Sequence, residues 1–154
     1  MLRISKLADY GTVVMVYLAK RSQILCNARD IALHTHLRVP TVSKLLKRLT
    51  AAGLLISTRG VAGGYRLQRP AVDISVTEII YALDEYQGLT ECSLQPNACS
   101  LRGSCHIQGN WQLISQGIAA ALDSVSLDDL AKPALLAVDL DRIKSLALGG
   151  IHRG

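Results

Sequence analysis

The sequence lacks the features of several classes of protein. It has 154 residues and no phenylalanine, and aromatic residues make up 4% of it, so aliphatic side chains must build the core. No apolar run reaches the roughly eighteen residues that a membrane-spanning helix needs, and the N-terminal residues show no apolar signal region. We therefore expect a cytoplasmic protein without a membrane partner. Paired catalytic carboxylates, a nucleophile–base motif and a G-x4-G-K-[ST] phosphate loop are all missing, so we do not expect an enzyme.

Acidic residues are scarce in the first half of the chain. Residues 1–70 contain twelve basic residues (Lys or Arg) and two acidic ones (Asp or Glu). Residues 71–154 contain five basic and ten acidic residues. A basic half joined to an acidic half is typical of a nucleic-acid-binding module with a separate sensing or pairing part. A basic solvated surface with no partner explains the charge alone about equally well. The assignment therefore depends on the elements that carry the charge.

The hydrophobic pattern predicts a mainly α-helical fold with a small β-hairpin. Helices are expected over residues 5–20, 28–34, 40–52, 76–86 and 111–125, with a last helical turn from Ser126. The β-prone segments 54–58 and 65–68 flank a glycine-rich turn and predict a hairpin. A short helix, a tight turn, a basic helix and then a hairpin form the winged helix-turn-helix pattern. The expected N-terminal caps are Ser5, Asn27, and Ser75 with Glu78.

The basic helix predicted over 40–52 separates its two faces. Its inward stripe is aliphatic: Val42, Leu45, Leu46 and Leu49. On the outward face, we expect the early residues Thr41, Ser43 and Lys44 to reach base edges in a major groove. Lys47 and Arg48 are expected to contact phosphates of double-stranded DNA. Considered alone, this helix is slightly better explained as an ordinary amphipathic surface helix.

The hairpin after this helix supplies the second predicted DNA contact. Arg59 is placed at the turn, where its guanidinium could enter a narrow minor groove. Gly60 and the glycines after it permit positive φ and let the tip approach DNA closely. A solvated arginine beside a tight turn is the alternative interpretation. The preceding helices favour the DNA-binding one.

Three of the four cysteines lie in one irregular loop. Cys92, Cys99 and Cys105 have the spacing C-x6-C-x5-C, in a stretch whose proline, asparagine and glycine favour turns. These uneven gaps are unlike the paired C-x2-C ligands of zinc fingers and suit a cluster of several irons. The spacing predicts a cysteine-ligated iron–sulfur cluster, with redox-active thiols or one disulfide as the alternatives. Cys26, far from the others, is expected to be a small buried residue.

The helix predicted over 111–125 carries a seam for pairing. Its apolar residues are spaced three, four, three and four apart: Trp111, Ile114, Ile118, Ala121 and Val125. This is the a/d pattern of paired helices and predicts a homodimer; packing onto its own domain is the alternative. Asn110 is the expected cap of this helix.

The patterns together divide the chain into four segments. Residues 1–86 are the predicted winged helix-turn-helix domain, and residues 87–109 are the cysteine-rich cluster-binding loop. Residues 110–132 form the dimerisation helix and a short helical turn. Residues 133–154 form a C-terminal tail to which no role is assigned.

The motifs together resemble the IscR/NsrR-type winged-helix regulators over about residues 1–132. The resemblance rests on Asp9-Tyr10-Gly11, the helix-turn-helix, the Arg59-Gly60-x-x-Gly63-Gly64-Tyr65 wing and the cysteine loop. Within that family, Glu91-Cys92-Ser93, the cysteine spacing and Asn110-Trp111 look most like regulators of SUF-type iron–sulfur assembly. The resemblance implies a homodimeric, iron–sulfur-dependent transcription regulator that represses its own assembly operon. It also implies that Cys92, Cys99 and Cys105 are ligands.

The resemblance leaves the fourth ligand open. IscR-like members use a histidine three residues after the last cysteine, where this chain has Gln108, and the adjacent His106 is the expected substitute. NsrR-like members use a helix-one aspartate of the partner subunit, and Asp9 matches that motif. A [2Fe-2S] cluster is favoured over [4Fe-4S]. Ser43 stands where IscR-like helices carry glutamate, so a different operator preference is expected. The alternative function is a winged-helix repressor that senses thiol oxidation or nitric oxide.

Overall fold

The computed structural model describes residues 4–84 and 105–132, and there the chain is mainly helical. Its elements in order are α1 (Lys6–Ala19), α2 (Ala28–Thr35), α3 (Val39–Ala51), β1 (Leu55–Thr58), β2 (Gly64–Leu67), a 3-10 turn (Ala71–Asp73), α4 (Val76–Leu83), α5 (Gln108–Asp123) and α6 (Leu127–Ala131). This order confirms the predicted fold of helices with a two-stranded wing. None of the helices in these two ranges combines the length and apolarity needed to cross a bilayer.

Aliphatic side chains build the core, as the shortage of aromatic residues requires. The largest fully buried side chains are Val14, Met15, Leu18, Ile31, Leu45, Leu46, Leu49, Leu55, Ile74, Ile79, Leu83 and Leu127. They come from α1 to α4, from the base of the hairpin, from the residue after the 3-10 turn and from α6. Burying one such side chain stabilises the fold by about 1.5–3 kcal/mol. The core therefore holds α3 by one face and leaves its other face in solvent.

Side-chain caps begin three helices where the sequence predicts them. Ser5 accepts a backbone N–H of the first turn of α1 at 3.1 Å, and Asn27 does the same for α2 at 2.9 Å. Ser75 and Glu78 form a reciprocal capping box at the start of α4. Each such cap is worth about 1 kcal/mol, and each depends on atoms within one turn.

Two predicted helix boundaries are wrong. The N–H of Trp111 donates to the carbonyl of Ile107 at 3.1 Å, so Asn110 lies inside the first turn of α5 and does not cap it. The helix begins at Gln108 and has no side-chain cap. The predicted helix 76–86 ends at Leu83, because Asp84 has the extended angles φ −113° and ψ 134°. Residues 85 and 86 lie outside the described part of the chain.

The wing is joined to the loop before α2 by two backbone hydrogen bonds. The N–H of Cys26 donates to the carbonyl of Tyr65 at 3.0 Å, and the N–H of Tyr65 donates to the carbonyl of Cys26 at 2.9 Å. A Cβ at Gly64 would lie 2.9 Å from the carbonyl carbon of Cys26, so only glycine fits there. Cys26 is buried, as predicted, and burial raises the pKa of its thiol. A buried thiol of this kind is unreactive.

The end of α5 is fastened into the winged domain. The N–H of Val76 donates to the carbonyl of Val125 at 2.9 Å, and the N–H of Leu127 donates to the carbonyl of Ile74 at 2.8 Å. The hydroxyl of Thr77, on α4, donates to a carbonyl of α5 at 3.3 Å. Leu127 itself belongs to the hydrophobic core. The winged domain therefore does not end before α5 begins, because α6 returns to complete its core.

Arg69 ties the end of the wing to α4. One nitrogen of its guanidinium lies 2.6 Å from a carboxylate oxygen of Glu78, and another donates to the carbonyl of Asp73 at 3.0 Å. Burial raises the pKa of Glu78, but the N–H of Ser75 and the Arg69 guanidinium lower it by more, so the pKa lies below its ordinary value. The wing and α4 are thus held together by a charged carboxylate at neutral pH.

Candidate nucleic-acid interface and ligand residues

The helix-turn-helix is closed by a residue in the left-handed conformation. His36 ends α2 with φ 57°, and α3 begins three residues later at Val39. Pro40 occupies the first turn of α3, where its missing N–H costs nothing. The tight turn packs α2 against α3 and presents the start of α3 to solvent.

The two faces of α3 are separated as predicted. The four residues of its inward stripe are fully buried: Val42, Leu45, Leu46 and Leu49. Lys44 and Lys47 are exposed, and Thr41, Ser43 and Arg48 are half-buried. All five side chains proposed to contact DNA therefore reach solvent, on a helix that the core holds rigidly from behind. Their contact with DNA stays a prediction.

Within the described residues, no carboxylate competes with phosphate for the cations of this surface. Ion pairs within residues 4–84 and 105–132 form at Arg69 and at Lys132. No carboxylate of these two ranges pairs with the cations of α3 and the wing, which are Lys44, Lys47, Arg48 and Arg59. Unpaired cations gathered on one side of a domain are the electrostatic signature of a nucleic-acid-binding surface.

The wing tip is formed by a turn that requires glycine at two positions. Gly60 has φ 110°, and the N–H of Gly63 donates to the carbonyl of Gly60 at 3.0 Å. A Cβ at Gly63 would collide with the carbonyl of Thr58. Arg59 is exposed at this turn, and Val61 beyond it is fully exposed. The tip therefore presents a guanidinium beside backbone that carries no side chain at Gly60 and Gly63.

Sequence reasoning does not single out the two residues at the start of α3. Arg38 is exposed and occupies the N-cap position without a side-chain cap bond. Val39 is 42% exposed, although it is apolar. Their position directly after the turn is the one signal in the sequence that could have pointed to them, since recognition helices use their N-terminal residues.

The comparisons with known proteins identify the family. Residues 4–133 match the model of the Rrf2 family, which is described as an iron-dependent transcriptional regulator. This chain belongs to the Rrf2 family. The regulator IscR of Xenorhabdus nematophila is 32% identical over 132 residues, which are 85% of this chain and 80% of IscR.

Two solved structures extend the Rrf2 assignment to the fold. CymR, the global cysteine regulator of B. subtilis, has a TM-score of 0.70 at 29% identity and covers 85% of this chain and 97% of CymR. T. potens IscR has a TM-score of 0.68 at 29% identity. The match covers 92% of this chain and 96% of T. potens IscR. These relatives are transcription regulators and not enzymes. The Rrf2 chain is a DNA-binding transcription regulator with a winged-helix fold.

The cysteine loop of this Rrf2 chain is described at one end. Cys105 is half-buried with a free thiol, and His106 next to it is exposed. Cys92 and Cys99 lie outside the described residues, and within the described ones no three potential metal ligands converge. Asp9 is exposed in the first turn of α1. The fourth-ligand alternatives, His106 and Asp9, are thus both accessible, and all these assignments stay predictions.

The start of α5 suits anionic ligands. Cys105 and His106 stand three and two residues before the start of α5, and the first turn of that helix has no side-chain cap. Uncapped N–H groups carry partial positive charge, which favours nearby anions such as thiolates bound to iron. The donor set described there, one sulfur and one imidazole, is chemically suited to an iron–sulfur cluster.

The predicted pairing helix is only partly covered by its own chain. No residue of α5 is buried, and Ile114, one of its seam residues, is 48% exposed. An apolar helix face of this kind is what a dimer partner would cover. Pairing through α5 stays a prediction.

Proposed function

We propose that this Rrf2 chain is an iron–sulfur-dependent repressor of iron–sulfur cluster assembly genes. One observation carries the proposal. Cys105 and His106 stand just before one end of α5, and the helix α6 that follows its other end is built into the core of the DNA-binding domain through Leu127. The sixteen residues of α5 span about 24 Å. A rigid helix thus links the proposed cofactor site to the winged domain.

The proposed ligands are Cys92, Cys99, Cys105 and His106, with Asp9 of the partner subunit as the alternative to His106. A [2Fe-2S] cluster is favoured over [4Fe-4S]. Within this proposal, the cluster-binding loop predicted over residues 87–109 ends where α5 begins at Gln108, the dimerisation helix predicted within residues 110–132 is α5, and residues 133–154 form a tail. The free thiol of Cys105 and the uncapped start of α5 support the assignment.

The proposed DNA contacts use the open face of α3 and the wing. Thr41, Ser43 and Lys44 contact base edges of double-stranded DNA, while Lys47 and Arg48 hold its phosphates. Arg59 enters the minor groove, and the bare backbone at Gly60 allows the close approach. Because operators for such dimers have two half-sites, pairing through α5 would set the distance between the two copies of α3.

The coupling between the two sites follows from charge. When bound, the cluster supplies a positive centre that is sensitive to oxidants and nitric oxide. Without it, thiolates gathered in one small loop repel each other. Cys105 and His106 would then leave their positions at the start of α5. Because Val125 and Leu127 hold the far end of α5 to the winged domain, the change would reach the two wings as a change in their relative placement.

The test is anaerobic purification followed by iron, sulfide and DNA-binding measurements. The wild-type protein is expected to be brown, to contain iron and acid-labile sulfide, and to change its promoter affinity when the cluster is removed. Cys105→Ala is expected to lose the cluster. Cys26→Ala, which changes a buried thiol of the core, is the matched control and keeps it. Protein without iron, or promoter affinity that is indifferent to cluster removal, contradicts the proposal.

Mössbauer spectroscopy of the anaerobic protein addresses the fourth ligand and the cluster type. His106→Ala is expected to change the parameters of one iron, whereas Asp9→Ala leaves them unchanged if His106 is the ligand. The reverse result assigns the ligand to Asp9 of the partner subunit. The same spectra distinguish [2Fe-2S] from [4Fe-4S].

A thiol-sensing repressor is the second candidate function. The likeness to CymR, a cysteine regulator, and the free, half-buried Cys105 favour it. This candidate predicts a colourless protein whose DNA binding changes when an oxidant joins two of its cysteines. Mass spectrometry would then find the disulfide in the oxidised protein and no iron in the reduced one.

A further inference from the structure

The outward face of α3 has an unusual chemical composition for a helix that recognises bases. The helix contains no Asn, Gln, Asp or Glu from Val39 to Ala51. It therefore offers no amide for the paired bonds to adenine and no carboxylate to accept from the amino group of cytosine. The N-terminal half of the helix offers one lysine, two hydroxyls and an apolar first turn. Lysine, a donor without acceptors, suits the N7 and O6 atoms of guanine.

Pro40, in the apolar first turn, lies on the same stripe as that lysine, and Val39 lies at the edge of that stripe. Four residues share the solvent-facing stripe at helical spacings of three, four and seven: Pro40, Ser43, Lys44 and Lys47. Pro40 is exposed and lies one turn before Lys44. Val39 beside it is 42% exposed. Two apolar side chains thus stand in water at the end of the helix that is closest to bases in a major groove.

We propose that Val39 and Pro40 recognise thymine by contact with its C5-methyl group, next to a guanine bound by Lys44. The thymine methyl is the one apolar group that base pairs present in the major groove. Contact with it would remove the exposed surface of both side chains from water. The inference rests on the proposed placement of α3 in the major groove.

The test begins with selection of the preferred site from a randomised duplex by the full-length, anaerobically purified protein. Each thymine of that site is then replaced by deoxyuridine, which removes only the methyl group. The dissociation constant is expected to rise about fourfold at one or two thymines, the effect of one buried CH2 group. At each responsive thymine, the same replacement should have a smaller effect on Pro40→Ala, on Val39→Ala or on both, because a side chain that contacts the methyl is gone.

Two controls separate this inference from the placement on which it rests. Val72→Ala changes an exposed apolar residue outside α3 and is expected to keep the full sensitivity to deoxyuridine. Replacing the neighbouring guanine by 7-deazaguanine, which removes N7, is expected to weaken the wild type but not Lys44→Ala.

The results that overturn the inference are distinct from those that overturn the placement. If Lys44→Ala weakens binding but no thymine responds to deoxyuridine, the methyl contact is wrong and the placement stands. The same holds if the sensitivity persists in both Pro40→Ala and Val39→Ala. If no site is selected, or if Lys44→Ala and Lys47→Ala bind DNA as tightly as the wild type does, α3 does not lie in the groove. The placement of α3 and the methyl contact are then both wrong.

Discussion

Leu127→Ala should destabilise the whole winged domain, although Leu127 lies far along the chain from it. The side chain is 0% exposed and belongs to the same core as the residues of α1 and α3. The short helix α6 that carries it packs against α1 and the 3-10 turn. Truncation to alanine would leave a cavity between these elements.

The size of the effect follows from the burial. A fully buried leucine replaced by alanine costs about 2–5 kcal/mol, which includes the lost transfer free energy and the cavity. We expect about 3 kcal/mol, because hydrogen bonds of the neighbouring backbone limit the collapse of the site. A domain of this size has a total stability of about 5–15 kcal/mol, so the variant loses a large part of it.

Urea unfolding at one fixed protein concentration measures this loss. Circular dichroism follows the helices, and the fluorescence of Trp111, the single tryptophan of the chain, follows α5. Leu33→Ala is the matched control because Leu33 is 71% exposed, and its free energy of unfolding should stay within about 0.5 kcal/mol of the wild type. If Leu127→Ala unfolds at the same urea concentration as Leu33→Ala, α6 does not complete the core.

Three further predictions address packing, pH and salt. Gly11→Ala should destabilise the fold by about 1–3 kcal/mol through overpacking, since the added Cβ would collide with the buried side chain of Leu83. At Gly109 an added Cβ would have no neighbouring atom within 4 Å, so Gly109→Ala should not lower the melting temperature. The charged form of Glu78 stabilises the fold above the ordinary carboxyl pKa of about 4, because its pKa is lowered on folding. That contribution should disappear as the pH falls through the lowered pKa, and Glu78→Gln should show a shallower loss of melting temperature below about pH 4; parallel curves would refute this. Lys47→Ala should reduce the slope of log affinity against log salt by about 1 per site, and an unchanged slope would remove Lys47 from the phosphate contacts.

Much of the fold could be predicted because it depends on interactions within a few residues. The caps at Ser5, Asn27 and Ser75 bond backbone atoms in the same turn, so their position is evident from the residues alone. The periodicity of α3 likewise separates its buried and exposed faces, and the glycines of the wing mark its turn. The iron ligands stay a prediction, because Cys92 and Cys99 lie outside the described residues.

The sequence by itself determined the order of the elements, the basic surface and the cysteine spacing, because each is a property of neighbouring residues or of their sum. The tertiary structure decided the rest through contacts between distant segments. Asn110 looks like a cap, yet the backbone bond from Trp111 to Ile107 starts α5 earlier. Leu127 is a core residue because α6 returns to α1. Val39 continues the spacing of the buried stripe of α3, yet it is 42% exposed, because burial depends on which other segments pack against the first turn and not on the spacing alone.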